Sequence, residues 1–501
     1  MALLNLRMGF ATNSSSSHSI VILADKNAQY STDEYHRFEW NTFIAADETS
    51  KRNYLAACVA TALYGDGHLS DYQRALMAHA LVGSDEKPVK SADENGYVSV
   101  DAPSVDHQSV LALPFTRESF ENHDSLSEEF LDDLLAFMLR KDVVILGGND
   151  NGDSARDLRA SVEGTDVDLP TESRSWRCRK EAHKVWTLFD KHSGSRLTVD
   201  FNGDDVVNRG AFSKLANPLL VDMKITDYCA FGCTYCYQGS TAKGAHADYS
   251  VVRDFIEACS RMLVFEIAIG GGEPTTHPEF MRIIEAANNE CITVNFTTRN
   301  KSFFTPANVK ELKLDQLYTR KVGGIAVSVD SLQDVKDWEK HINEVREKLE
   351  WQGLYGMNLQ VVLGAMPLEE LVRIFKYVGN YNRKGRVFGT ITLLGWKTTG
   401  RGSLVQPYNV KGWTKILNNR ADYYVRTGVD TQIASEYEEE LKKAGVPEEL
   451  YSLEEGKQSM YIDVVTKVAA PSSFCDPSKN VKLDLNKYAW SRALTNAFKG
   501  F

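Results

Sequence analysis

From Leu219 onward the chain alternates short β-branched runs with amphipathic segments, and no other feature of the sequence restricts the fold as strongly. The runs are Leu219 to Ile225, Val264 to Ile269, Ile292 to Thr297, Gly323 to Val329, Asn358 to Leu363 and Phe388 to Leu394. Strands joined through helical segments pair in parallel, because a parallel pair needs a long crossover. Crossovers of this kind are right-handed, so six β/α units curl into an open, partial barrel rather than a flat sheet. The expected helices begin with one capped by Ser250, whose Val251, Val252, Phe255, Ile256, Cys259 and Met262 share a face. Pro278 suits the first turn of the next, which runs through Phe280, Ile283, Ile284 and Ala287. Ser331 to Glu350 and Leu368 to Val378 read as two more. Functional groups of such a barrel gather at the carboxyl ends of its strands.

The flanks read differently. Residues 1–210 contain a helical stretch from Tyr54 to Leu81 and a hairpin from Trp186 to Phe201 turning at His192-Ser-Gly-Ser, which together suggest a separate α+β domain. The barrel core spans 215–405. Residues 406–501 form a C-terminal accessory region with a helix at Thr431 to Ala444 and a strand at Met460 to Val465. The serine tract Ser14 to Ser17 reads as a flexible tail on composition. Asn149-Asp-Asn151-Gly-Asp153 has the look of a calcium loop, but Ser154 stands where the tight turn needs glycine, so it reads as a polar turn.

A chain of 501 residues with 43% hydrophobic content can bury a large core, and its net charge of -11 argues against nucleic acid or an anionic membrane as partner. The apolar runs are far shorter than the roughly 20 residues of a membrane span, and Met1 to Phe10 lacks the apolar stretch of a secretory signal. Three of the eight cysteines fall within a single short segment, which suggests a reducing cytoplasm and a metal or cluster site rather than a disulfide framework.

That segment, Asp227-Tyr-Cys229-Ala-Phe-Gly-Cys233-Thr-Tyr-Cys236-Tyr-Gln-Gly, follows the first barrel strand directly. Thiolates spaced in this way can wrap one iron–sulfur cluster from a single loop. Three ligands for four irons would leave one iron open, and an open position separates a reactive centre from a closed structural one. Two other readings exist. A zinc site would need His246 as fourth ligand, and no second ligand pair at zinc spacing follows. A redox pair of Cys233 and Cys236 would leave Cys229 unexplained.

The loop resembles the Cys-x-x-x-Cys-x-aromatic-Cys signature of the radical S-adenosylmethionine (SAM) superfamily, with Cys229, Cys233 and Cys236 as implied ligands of a [4Fe-4S] cluster and Tyr235 as the aromatic residue. Gly270-Gly271-Gly272-Glu273-Pro274 is similar to the family's Gly-Gly-Glu-Pro element, which implies that Gly271, Gly272, Glu273 and Pro274 meet the amino group of SAM. Val327-Ser328-Val329-Asp330 resembles a strand end that places Ser328 and Asp330 near the ribose and methionyl parts of SAM. Thr297-Thr298-Arg299-Asn300 departs from the family's usual Thr-Asn-Gly ending, with Thr298 kept as a candidate. Gly400-Arg401-Gly402 resembles the turn after the last strand in the branch of molybdenum-cofactor and peptide-maturing enzymes, making Arg401 a further candidate.

The resemblance covers about 215 to 405. It implies reductive cleavage of SAM to a 5′-deoxyadenosyl radical that takes hydrogen from a peptide or protein, with a flavodoxin- or ferredoxin-like electron donor. The alternatives are modification of a nucleotide or other small metabolite, and a non-catalytic iron–sulfur or zinc sensor. One cluster is expected: Cys58, Cys259 and Cys291 read as buried packing thiols, and Cys178 and Cys475 stand alone.

Overall fold

The structure is a computed structural model describing residues 16–30, 37–38, 41–63, 69–105, 111, 113–114, 125–149, 153–167, 176–191, 194–202, 215–314, 316, 320–349, 357–380, 382–418, 425–446, 451, 453, 455–483 and 489–501. It divides into two compact units, residues 1–191 with 195–209, and residues 192–194 with 210–501.

The first unit holds a four-stranded antiparallel sheet in the order Phe43–Ala45, Val143–Asn149, Ser16–Leu23, Gly164–Val167. Ser16 and Ser17 pair with Asn149 and Gly148, so half of the serine tract is strand rather than tail; Ser14 and Ser15 lie outside the described residues. Of the calcium-like stretch, Asn149 ends a strand and Asp153 opens the helix Asp153–Ser161, while 150–152 lie outside the described residues. The helical stretch expected over Tyr54 to Leu81 is two helices, Glu48–Ala62 and Asp71–Val82. Ser70 restarts the second through a reciprocal capping box with Gln73, and Gly83 ends it in the left-handed region at φ 64°. The expected hairpin is present as Val185–Asp190 and Arg196–Asp200, joined by a third strand, Trp176–Ala182.

In the second unit all six expected barrel strands form: β1 (Leu220–Thr226), β2 (Glu266–Gly271), β3 (Thr293–Thr298), β4 (Ile325–Ser328), β5 (Met357–Val362) and β6 (Thr390–Leu394). Each pairs in parallel with the next. The C-terminal region adds β7 (Arg426–Val429) in parallel beside β6, and β8 (Ser459–Asp463) in parallel on the free side of β1. Antiparallel strands β9 (Val468–Ala470) and β10 (Val481–Lys482) complete the order β7-β6-β5-β4-β3-β2-β1-β8-β9-β10. The strand expected near Met460 is therefore part of the barrel wall.

The crossover helices are α1 (Tyr249–Arg261), α2 (Phe280–Asn289), α3 (Pro306–Glu311), α4 (Leu332–Lys348) and α5 (Leu368–Gly379). Val252, Phe255, Ile256 and Cys259 of α1 are buried as their spacing requires, but the cap is Asp248, whose carboxylate accepts the Ser250 N–H at 2.7 Å. Pro278 lies just before α2 rather than in its first turn. Cys291 corrects the expectation of a buried thiol: it is exposed, at φ 56° in the tight link from α2 to β3. Among the described residues no helix is long and apolar enough to cross a membrane.

Candidate functional site at the carboxyl end of the barrel

The cysteine loop leaves β1 at Thr226 and is fastened at its base by its neighbours. Asp227 donates its N–H to Ala245 O at 2.8 Å, and Cys229 donates to Thr241 O at 2.9 Å. The end of β2 then closes over it, with Gly272 N–H donating to Thr226 O at 2.7 Å and Glu273 N–H to Tyr228 O at 2.8 Å. A Cβ on Gly271 (φ +119°) would stand 2.3 Å from Thr226 O, and one on Gly272 would stand 2.1 Å from Tyr228 O. These two glycines thus meet the protein's own loop backbone. Gly270, where a Cβ would find nothing within 4 Å, is the glycine of the run that faces open space.

Glu273 is only 2% exposed. Its carboxylate accepts the Thr275 hydroxyl at 2.6 Å, the Thr275 N–H at 3.2 Å, the Thr298 hydroxyl at 2.6 Å and the Arg299 N–H at 2.9 Å. Thr298 in turn accepts the Asn300 N–H at 2.9 Å. Glu273 and Thr298 therefore join the ends of β2 and β3, while Pro274, itself buried, opens a 3-10 turn after β2. Asp330 is likewise engaged, its two oxygens accepting the Arg299 guanidinium at 2.7 Å each and the Tyr235 hydroxyl. The hydroxyl of Ser328, half-buried at the end of β4, has no hydrogen-bond partner among the described residues.

Arg401 reaches the cysteine loop. Its Nε donates to Cys233 O and its Nη1 to Ser240 O, both at 2.9 Å, and its backbone N–H donates to Cys236 O at 2.9 Å. A Cβ on Gly400 would lie 2.3 Å from Tyr237 O. The turn after β6 thus also grips the cysteine loop, leaving backbone carbonyls satisfied and the three sulfurs uncommitted.

The thiols of Cys229, Cys233 and Cys236 are half-buried and free. Burial pushes the Cys233 thiol up; nearby Arg299 opposes this, and Asp330, Cys236 and Cys229 add to it, so both other sulfurs lie within electrostatic reach of Cys233. Among the described residues no three His, Cys, Asp or Glu side chains converge tightly enough for a single ion. A mononuclear zinc site draws every donor to about 2.3 Å of one centre, whereas a cluster takes one thiolate at each iron. His246, the fourth zinc ligand considered, is occupied: its Nδ1 lies 2.8 Å from the Thr226 hydroxyl and its ring packs on Tyr228 and His277. Three free thiols without a fourth protein donor suit an iron–sulfur cluster better than a closed four-ligand zinc site.

Residues 223–398 match the family model described as the radical SAM superfamily. That segment is a radical SAM domain. Radical SAM enzymes use a [4Fe-4S] cluster and SAM, matching this thiol set. Mycofactocin maturase MftC of Mycobacterium tuberculosis (strain CDC 1551 / Oshkosh) is 24% identical over 191 residues, 37% of this chain and 46% of that protein. GTP 3',8-cyclase of Mannheimia succiniciproducens is 30% identical over 116 residues, 22% of this chain and 32% of the cyclase. The chain thus spans less than half the length of these curated relatives. Among solved structures, Streptococcus suis SuiB bound to S-adenosylmethionine superposes with a TM-score of 0.44 at 12% identity, over 64% of this chain and 91% of SuiB.

Inside this radical SAM barrel lie groups that the motifs did not reveal. Asp222, aligned with Ala268 of β2 and Tyr461 of β8, is open to solvent yet enclosed by the barrel wall, with Lys397 and Glu266 acting on it. Glu455 shares that interior with Lys397, Asp222 and Asp430, and burial pushes it up to about 7. Lys397 lies 3.4 Å from Asp430 and over the rings of Tyr237 and Phe474. A 520 Å³ cavity beside it is lined by Trp396, Val405, Pro407 and Phe474 among others, and Trp396 packs against Tyr235 at 5.8 Å. Only the register of the barrel sheet brings these groups together.

Burial pushes the Asp222 carboxyl up from 3.8 to about 6; Lys397 works against the shift and Glu266 adds to it. The folded state therefore favours the protonated form, and stability falls as pH rises from about 4 through 6. Asp222→Asn is expected to raise the melting temperature at pH 8 and leave it unchanged at pH 4. Water reaching the carboxyl screens the effect to about 1 kcal/mol. Thermal melts of both proteins at the two pH values check this, and equal melting at pH 8 would mean that the wall does not burden the charge.

Proposed function

We propose that the chain reductively cleaves SAM at a [4Fe-4S] cluster held by Cys229, Cys233 and Cys236, and directs the resulting radical to a peptide or protein substrate. One observation carries the reading: three uncommitted thiols on a loop clamped by the end of β2 and the turn after β6, at the carboxyl end of a parallel barrel. When bound, the cluster and SAM together supply the electron transfer and hydrogen abstraction; the protein's part is positioning and exclusion of water.

Gly272, Glu273 and Arg401 hold the thiols in place. The Ser328 hydroxyl and the open space beside Gly270 are available to SAM. Tyr235 and Trp396 form an aromatic wall between the cysteine loop and the adjoining cavity. A peptide substrate is supported by relatives named as maturases, and by the exposed apolar side chains of Phe231, Leu404, Val405 and Tyr408 on the two loops that meet at the site. The relatives named as GTP 3',8-cyclases favour a nucleotide as the second reading. An electron donor of flavodoxin or ferredoxin type and a reducing cytoplasm complete the proposal.

The test is anaerobic reconstitution followed by incubation with SAM and dithionite. Methionine and 5′-deoxyadenosine are expected, and a protein holding about four irons that forms neither would overturn the assignment. Product formed from a free nucleotide alone would move the substrate to the second reading.

A further inference from the structure

The end of β3 carries an arginine where the family resemblance led to an uncharged residue, and the structure gives it a defined place. Its backbone N–H is held by Glu273 at 2.9 Å. Its guanidinium forms a two-point pair with Asp330, at 2.7 Å on each arm, and also donates to the Tyr235 hydroxyl. Tyr235 closes the triangle by donating to Asp330. One planar fork thereby ties together the cysteine loop, the end of β3 and the end of β4. Lysine, a point charge without that fork, cannot reproduce the arrangement. Tyr235 stands between Cys233 and Cys236 in the loop, and the Arg299 guanidinium lies 5.9 Å from its ring centre, with side-chain exposure of only 21%. A full positive charge and its counter-charge are thus fixed against the thiol-bearing loop, the arginine screened by water less than Asp330, whose side chain is 33% exposed.

We propose that Arg299 and Asp330 are positioning residues that set the reduction potential of the cluster bound at Cys229, Cys233 and Cys236, Arg299 favouring reduction and Asp330 opposing it. The inference rests on the cluster reading above. Reduction brings one electron from the donor to the cluster with no bond made or broken, so the cluster gains one negative charge. A fixed cation nearby stabilises the reduced form, and a fixed anion destabilises it; net charge and hydrogen bonding around a cluster are among the factors that set its potential. The tie to Tyr235 also holds the loop at a constant distance from that charge.

The experiment is a potentiometric titration of the anaerobically reconstituted full chain with dithionite, without SAM, followed by electron paramagnetic resonance. Wild type is compared with Arg299→Gln, Arg299→Lys and Asp330→Asn. Arg299→Gln is expected to make reduction about tenfold less favourable, a lowering of about 59 mV for one electron, and Asp330→Asn to shift it by a similar amount upward. Arg299→Lys should stay nearer wild type than Arg299→Gln, because the charge remains. A purely structural role would move Arg299→Gln and Asp330→Asn in the same direction, and that result, or no shift in either, overturns the proposal. If Arg299→Gln loses its cluster, Asp330→Asn still decides: an upward shift with Arg299→Lys near wild type supports the proposal, and a downward shift or none in Asp330→Asn overturns it. A wild-type chain that takes up no iron would instead defeat the cluster reading itself.

Discussion

Replacing Cys229, Cys233 and Cys236 together with alanine is expected to abolish the brown iron–sulfur chromophore and all SAM cleavage while leaving a folded protein. The three sulfurs make no hydrogen bonds that hold the loop; its backbone is fastened by Gly272, Glu273, Thr241 and Arg401, none of which the substitutions touch. Removing half-buried thiols from such a loop opens no core cavity, so the melting temperature of the iron-free protein should stay within a few degrees of wild type. Iron and sulfide analysis after anaerobic reconstitution is expected to fall from about four of each per chain to background. Unchanged iron content would place the cluster elsewhere.

Glu273→Ala is expected to have the second largest effect, and on the fold as well as on the ligand. The family resemblance alone implies a loss of SAM affinity, but the carboxylate is buried and accepts from Thr275, Thr298 and Arg299. Hydrogen bonds to a charged group contribute about 1.5 to 3 kcal/mol each and are not additive, and the alanine strands several donors at once. A destabilisation of about 3 kcal/mol is expected, together with weaker binding of SAM as the ends of β2 and β3 come apart. Glu273→Gln keeps one acceptor oxygen and should recover part of the stability. Urea unfolding and a SAM titration on each variant separate the two effects: wild-type stability with lost affinity would mean that Glu273 serves the ligand alone.

The behaviour of the two glycine turns shows how far a motif can be read before the chain is folded. Gly271, Gly272 and Arg401 stood out in the sequence as ligand-side residues, yet the structure sets them against the backbone of the cysteine loop. Their residue types were legible because close approach demands glycine and carbonyl capping suits arginine, whichever neighbour approaches. The neighbour was not legible. Asp330 is similar: its partner Arg299 is 31 residues away and its partner Tyr235 is 95 away, distances at which local pattern carries no information.

The sequence by itself determined the alternation that makes a parallel barrel, the placing of three thiols on one loop after its first strand, and the helix faces that cover the sheet. These are local properties: strand and helix periods, caps and cysteine spacing act within a few residues of one another. Tertiary structure alone decided that β7 and β8 extend the wall at opposite sides, since short strands such as Arg426–Val429 and Ser459–Asp463 carry no mark of which edge they will join. It also decided that Asp222, Glu455 and Lys397 share one interior, and that Arg299, Asp330 and Tyr235 meet at a single point. Register and curvature of the sheet set those meetings, because each side chain's partner depends on strands that the chain reaches only after several crossovers.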